Sequence, residues 1–357
     1  MSERDFLTMG IESSCDETSV AIMQGERTLL SNVISSQIEI HKVFGGVVPE
    51  IASRHHLENI NLVTRLALRE ASEKLGRAIT TDDVDLIGVT AGPGLVGALV
   101  IGIAAAKAYA FACRKPLIGV HHIQAHICAN YLENPQLKPP FIALVASGGH
   151  TSLVSVKSYT EYELLGQTRD DAIGEAFDKV ARVLGLGYPG GPLVDKLAKN
   201  GNGDAVYFKR VMLEKGSYDF SFSGIKTAVL NYMNTERQAG RSVDAADIAA
   251  SFQQAVIDVT VAKAMLALEN TKQNTLVLAG GVAANSALRK KLQEECDAQD
   301  YQLYMPSPVL CTDNAAMVAQ SAYYAYKNGE VSDLRLDAYP NLPIDNLEKI
   351  RCRGGKS

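Results

Sequence analysis

Phe141-Ile142-Ala143-Leu144-Val145-Ala146-Ser147-Gly148-Gly149-His150-Thr151-Ser152-Leu153-Val154-Ser155-Val156 reads as an apolar strand over 141–146, a polar glycine turn, and a second strand over 152–156. The chain opens the same way. Phe6 to Glu12 reads as a strand, Ser13-Ser14-Cys15-Asp16-Glu17-Thr18 as a turn packed with hydroxyls and carboxylates, and Ser19 to Met23 as the returning strand, closed by Gln24-Gly25. Two copies of strand, polar turn, strand imply an internal duplication of a β-β-β-α-β-α unit, and hence an α/β protein of two mixed-sheet lobes.

The segments between these blocks fit that reading. Residues 31–40 read as a further strand. Apolar residues at Ile51, Leu57, Ile60, Val63, Leu66 and Leu68 recur at helical spacing, so an amphipathic helix covers 50–73. A strand over 85–90 meets Ala91-Gly92-Pro93-Gly94, which matches neither dinucleotide nor P-loop fingerprints and reads as close packing at a strand-to-helix turn. The apolar run from Gly94 to Cys113 carries Lys107 inside it and reads as a buried helix rather than a membrane span. Pro135, Pro139 and Pro140 set the lobe boundary, giving an N-terminal lobe over 1–138 and a C-terminal lobe over 139–312 with a helical insertion at about 174–262. The helix over 313–328 is expected to pack back onto the first lobe, and the tail, 331–357, to run partly extended over the surface.

At 357 residues, 46% hydrophobic and 21% charged, the chain has material for two cores. Its charged start has no apolar segment behind it, so no secretory signal is expected. The six cysteines include no C-x-x-C pair, which points to free thiols in the cytoplasm. A net charge of −5 has the wrong sign for gripping nucleic acid with the whole surface. Local basic candidates remain: Arg54-His55-His56, Arg289-Lys290-Lys291, and Lys349, Arg351, Arg353 and Lys356 in the tail.

Chemistry concentrates in a few motifs. His121-His122-Ile123-Gln124-Ala125-His126 puts His122 and His126 one helical turn apart on one face, where they can hold a single metal ion or simply be interior imidazoles. Such a pair needs a carboxylate, and Asp313, in Cys311-Thr312-Asp313-Asn314, is the best candidate. Ser147-Gly148-Gly149-His150-Thr151 can offer backbone N–H groups to an anion, with Ser147 and Thr151 as further donors, or simply close a hairpin. Asp178 and Asp195 bracket Tyr188-Pro189-Gly190-Gly191-Pro192, where a carboxylate can accept ribose hydroxyls or cap a helix. The strand Thr275 to Ala279 runs into Gly280-Gly281-Val282-Ala283-Ala284-Asn285, which places the Asn285 amide beside a base or ribose.

Together with Gly10-Ile11-Glu12-Ser13-Ser14-Cys15-Asp16-Glu17-Thr18 and Gly174-Glu175-Ala176-Phe177-Asp178-Lys179, these blocks resemble, in order from about Met9 to about Asn341, the bacterial TsaD family of tRNA N6-adenosine threonylcarbamoyltransferases, formerly described as glycoproteases. The resemblance implies a two-lobed actin/Hsp70/sugar-kinase-like (ASKHA) fold with duplicated mixed sheets and a central cleft. It implies one divalent metal ion, Fe(2+) with zinc as the alternative, on His122, His126 and Asp313. Val145, Ala146, Ser147, Gly148, Gly149, Asp178, Gly191, Asp195 and Asn285 would hold threonylcarbamoyl-AMP. Glu12 or Asp16 would position or deprotonate the adenosine amine. The acceptor would be the adenosine adjacent to the anticodon in tRNAs reading ANN codons, AMP would leave, and no acyl-enzyme would form. A TsaB-like paralogue and a TsaE-like ATPase would be partners, with no membrane involved. Gln124-Ala125 stands where Glu-Gly is more usual, Ala146 where Val is, and Ala315 where Gly is; none touches a proposed ligand. A metallopeptidase is a rival reading, but Ile123 occupies the position where H-E-x-x-H carries its base. A small-molecule kinase of the same architecture would need neither histidine, and a non-catalytic scaffold would not keep the metal triad.

Overall fold

Leu7–Glu12 (β1) is buried along its whole length, as a central strand covered on both faces must be. The computed structural model describes residues 5–212 and 214–353 and divides into two compact units, 1–139 with 157–162 and 312–357, and 140–156 with 163–311. In the first unit β1 turns at Ser13–Asp16 into Glu17–Gln24 (β2), which is followed by Thr28–Ser36 (β3), the short helix Ile38–Lys42 (α1), the long helix Pro49–Leu75 (α2), Leu86–Gly92 (β4), Val96–Cys113 (α3), Leu117–His121 (β5) and His122–Glu133 (α4). Glu17 and Thr18 belong to β2 and not to the turn, because both pair with β3 in the antiparallel ladder.

The second unit repeats the plan. Phe141–Ala146 (β6), Thr151–Val156 (β7) and Tyr162–Gln167 (β8) precede the helices Ile173–Val183 (α5), Gly190–Ala198 (α6), Ser223–Gln238 (α7) and Ala245–Thr271 (α8). Thr275–Ala279 (β9), Ser286–Ala298 (α9), Gln302–Tyr304 (β10) and Pro308–Cys311 (α10) complete it. The sheet orders are β3-β2-β1-β4-β5 and β8-β7-β6-β9-β10, the same order counted from each unit's first strand. The duplicated mixed-sheet α/β architecture is therefore the one this chain adopts. In each unit the first strand runs antiparallel to the second and parallel to the fourth.

Ala315–Lys327 (α11) returns to the first unit, followed by the short pair Glu330–Val331 (β11) and Cys352–Arg353 (β12). Two glycines let α11 lie directly on the sheet. A side chain at Gly10 would collide with Ala315 O, and one at Gly88 with Ala322 Cβ. The tail departs from the expected surface course. Leu336, Leu342, Ile344 and Ile350 are all buried, because apolar residues without helical or strand periodicity still fill gaps around β5 and α4. Among the described residues α3 is long and apolar enough to cross a membrane, with 18 residues and mean hydropathy 1.8. One of its faces, Ala98, Leu99, Gly102, Ile103, Ala106 and Ala110, is buried in the first unit.

Gly10→Val should drive α11 off β1 and destabilise the protein by about 1–3 kcal/mol, the usual cost of overpacking. Urea unfolding of the variant beside the wild type measures it.

Candidate active site

The parallel strand β5 ends at His121, whose Nδ1 accepts from Ile123 N at 3.2 Å and so caps α4. His122 and His126 lie one turn apart, with ring centroids 4.6 Å apart and ring planes at 81°. Asp313 immediately precedes Asn314, the N-cap of α11, whose Oδ1 accepts from Met317 N at 3.2 Å. The close seating of α11 on Gly10, reinforced by Ala315 N donating to Ser19 Oγ at 2.9 Å, carries Asp313 to the histidines. Its Oδ1 lies 3.0 Å from His126 Nε2 and 3.6 Å from His122 Nε2.

These three residues can hold a metal ion: one ligand atom from each falls within 4.8 Å of the others. The geometry fits the donor set. His126 Nε2 is buried and makes no hydrogen bond although Asp313 Oδ1 lies 3.0 Å away, an orphaned buried nitrogen that a metal ion would satisfy.

Glu12 is fully buried, and both of its oxygens are used inside the protein. Oε1 accepts from Ser14 N at 2.6 Å; Oε2 accepts from Thr90 Oγ1 at 2.7 Å and faces His122 Nδ1 at 3.3 Å. A carboxylate on Nδ1 leaves Nε2 of His122 as the ligating nitrogen. Glu12 thus stands behind His122, with its carboxylate on the imidazole. Burial opposes a charge on His122, but the Asp313 and Glu12 carboxylates outweigh it and push the imidazole up to about 9. Burial would likewise raise Glu12, yet His122 holds it below its ordinary value. Asp16 is 7% exposed in the same turn. Burial, with Asp16 and Asp313 nearby, holds the neighbouring Glu17 well above the usual carboxylate range.

In the second unit the turns after the parallel neighbours β6 and β9 come together, where open α/β sheets offer binding space. A side chain at Gly280, whose φ is 89°, would sit 2.5 Å from Ala146 O. Val145 and Ala146 are the buried end of β6, and Ser147 N accepts its place in the turn by donating to His150 O at 2.8 Å. Gly148 and Gly149 are exposed, with open space where a side chain would be, as has Gly191. The carboxylates and the amide are occupied within the protein. Asp178 Oδ1 accepts from Gly190 N at 2.6 Å at the start of α6, and burial raises its carboxyl against the opposing pull of the Gly190 and Gly191 amides. Asp195 accepts from Ser286 Oγ at 2.8 Å. Asn285 caps α9 through Leu288 N at 2.9 Å and donates to Gln253 Oε1 at 2.8 Å.

Several supporting residues carried no sequence signal. Gln253 and Ser286 are single polar residues in helices. His56 was grouped with a basic patch, but it is buried, with Nδ1 2.8 Å from Thr18 Oγ1 and Nε2 2.8 Å from Cys15 O, and it braces the turn after β1. Two of the other basic candidates also turn inward, while Arg54, Lys290 and Lys349 stay exposed. Arg289 donates to Ala283 O at 2.5 Å, and Arg351 is 5% exposed. Lys290 and Lys291 face Glu294 and Glu295 on their own helix, and Lys356 lies outside the described residues.

Residues 28–320 match the family described as TsaD, tRNA N6-adenosine threonylcarbamoyltransferase. The chain belongs to this family. It is 55% identical over 338 residues to the tRNA N6-adenosine threonylcarbamoyltransferase of Clostridium beijerinckii, covering 95% of this chain and 98% of that protein. It is 53% identical over 341 residues to the protein of the same name from Clostridioides difficile, covering 96% and 99%. Among solved structures, full-length HypF in a phosphate- and nucleotide-bound form has a TM-score of 0.60 at 16% identity, over 90% of this chain and 46% of that one. The chain thus spans about half of the HypF chain, and the likeness is one of fold. Component A of the (R)-2-hydroxyglutaryl-CoA dehydratase of Acidaminococcus fermentans has a TM-score of 0.53 at 15% identity, over 90% and 98%. As a TsaD-family member the protein is an acyltransferase, and these relatives lend nothing to the peptidase or kinase readings.

Because His122 in the metal-free site titrates near 9, a cation binding at pH 7 must displace its proton. Apparent metal affinity should rise about tenfold per pH unit up to that value and flatten above it. Calorimetry in buffers of different ionisation enthalpy should register about one proton released per ion at pH 7.

Proposed function

We propose that this chain transfers the threonylcarbamoyl group from threonylcarbamoyl-AMP to N6 of the adenosine adjacent to the anticodon in tRNAs reading ANN codons, with release of AMP. The observation that carries the reading is the convergence of His122, His126 and Asp313, with Glu12 behind His122, in a chain of this family. Two imidazoles and one carboxylate are the protein donor set of non-haem iron sites, and of some catalytic zinc sites; the family resemblance supports Fe(2+) here. When bound, the ion supplies Lewis-acid polarisation of the donor's carbonyl oxygen.

The chain's own residues bind and orient. Glu12 holds the Nδ1 proton of His122 and with it the ring's direction. Gly148, Gly149 and Gly191 present bare backbone to the anionic AMP portion, framed by Val145, Ala146 and Ser147. Asp178 fixes the Gly190-Gly191 amides, while Asp195 and Asn285 fix the start of α9, so these three work chiefly by holding the turns that meet the nucleotide. An acyl-adenylate is already activated, and the nearby hydroxyls are committed: Ser13 Oγ donates to Ala98 O at 2.9 Å, and Ser14 Oγ lies 3.2 Å from His122 Nδ1. N6 then attacks the carbamoyl carbon directly, the bond to AMP oxygen breaks, and Asp16 is the carboxylate assigned to the amine and its proton. The same resemblance supports a TsaB-like paralogue and a TsaE-like ATPase as partners in the cytoplasm. A net charge of −5 gives the chain no overall electrostatic attraction for tRNA, so partners are expected to share in holding it.

Reconstitution with synthetic threonylcarbamoyl-AMP and unmodified tRNA, adding candidate partners one at a time, tests the reading. His126→Ala should lose metal and transfer together, and Glu12→Gln should weaken metal binding about 10–100-fold as an outer-sphere partner. Wild-type transfer by a metal-free His126→Ala protein would reject it.

A further inference from the structure

The first turn of α4 is held from two sides, and only one of them carries ligands. His122 and His126 face Asp313. Gln124, about 200° around the helix from His122, faces the C-terminal segment and is fully buried. Its Nε2 donates to Ile344 O at 3.2 Å, and its Oε1 accepts from Arg351 Nη2 at 2.9 Å. At the head of the helix His121 Nε2 lies 2.9 Å from Leu342 O. Arg351 is itself held by Glu330, with Nε 2.7 Å from Oε2. The segment is fastened to the sheet below. Ser332 N donates to Leu117 O at 2.8 Å, Gly119 N to Ser332 Oγ at 2.8 Å, and Tyr339 N to Ala91 O at 2.8 Å.

We propose that residues 330–351 form a clamp that sets the rotation and axial position of α4, with Arg351 a positioning residue acting through Gln124 on the ligands His122 and His126. The proposal rests on the assignment of His122, His126 and Asp313 as metal ligands. A helix moves as a rigid body, so a shift on its back face is transmitted undiminished to the imidazoles, while metal–ligand distances tolerate only about 0.2 Å. Arg351 suits the role because its guanidinium donates to Gln124 through Nη2 while Nε pairs in charge with Glu330, an arrangement lysine's single ammonium cannot reproduce.

The test is titration of the metal-free, full-length chain with cobalt(II), followed by its d–d absorption, for the wild type, Arg351→Gln, Arg351→Lys, Gln124→Leu and His126→Ala, with the melting temperature of each metal-free protein recorded separately. Arg351→Gln and Gln124→Leu should each weaken cobalt binding about tenfold or more and shift the absorption band, with partial recovery in Arg351→Lys. The double variant should lose little beyond either single one, since both break one link. Lower melting temperatures with unchanged cobalt affinity and spectrum would overturn the clamp and leave an ordinary packing role. Should Arg351→Gln not fold, Gln124→Leu decides by the same two readouts. Cobalt binding by His126→Ala as tight as by the wild type would overturn the metal assignment itself, a failure distinguishable from that of the clamp.

Discussion

The first unit depends on the direct contact of a helix backbone with a sheet. Because residue 10 has no side chain, Ala315 at the start of α11 sits on β1, and the residue just before that helix, Asp313, is delivered to α4. Nothing in Asp313's own surroundings in sequence would take it there. The same contact seats Ala315 N on Ser19 Oγ and Ala316 N on Asn32 Oδ1, so the sheet's polar groups satisfy amides at the start of α11 that have no partner within the helix.

Delivering Asp313 concentrates charge. Glu12, Asp16, Glu17 and Asp313 gather around two imidazoles with little solvent among them. Grouping carboxylates in a buried place is costly unless cations offset them, and the Asp313 and Glu12 carboxylates accordingly push the His122 imidazole up to about 9, favouring its protonated form. A divalent ion on the same three ligands would replace that proton and relieve the crowding.

The second unit is built differently. The side chains that look most like binding groups, Asp178, Asp195 and Asn285, commit polar atoms to helix starts and turn amides. What faces outward is glycine backbone, at Gly148, Gly149 and Gly191. Backbone held in this way suits a nucleotide's phosphate, since N–H groups fixed in advance need no reorganisation on binding.

Strand, polar turn and strand at residues 6–23 and again at 141–156 were enough to read a duplicated α/β fold, because period and turn chemistry are local properties. The spacing of His122 and His126 makes them a candidate pair for the same reason, and Asp313 is the third candidate by its place in Cys311-Thr312-Asp313-Asn314 and by family resemblance. Tertiary structure decided the rest. It set the Glu12 carboxylate on His122, drew His56, Arg289 and Arg351 inward from what looked like basic patches, and sent an aperiodic tail into the core behind α4. The physical reason is common to all four. Spacing along the chain shows which residues share a face, but a buried polar group's partner is chosen by whichever distant backbone or side chain closes its hydrogen bond, and that becomes known only when the chain has packed.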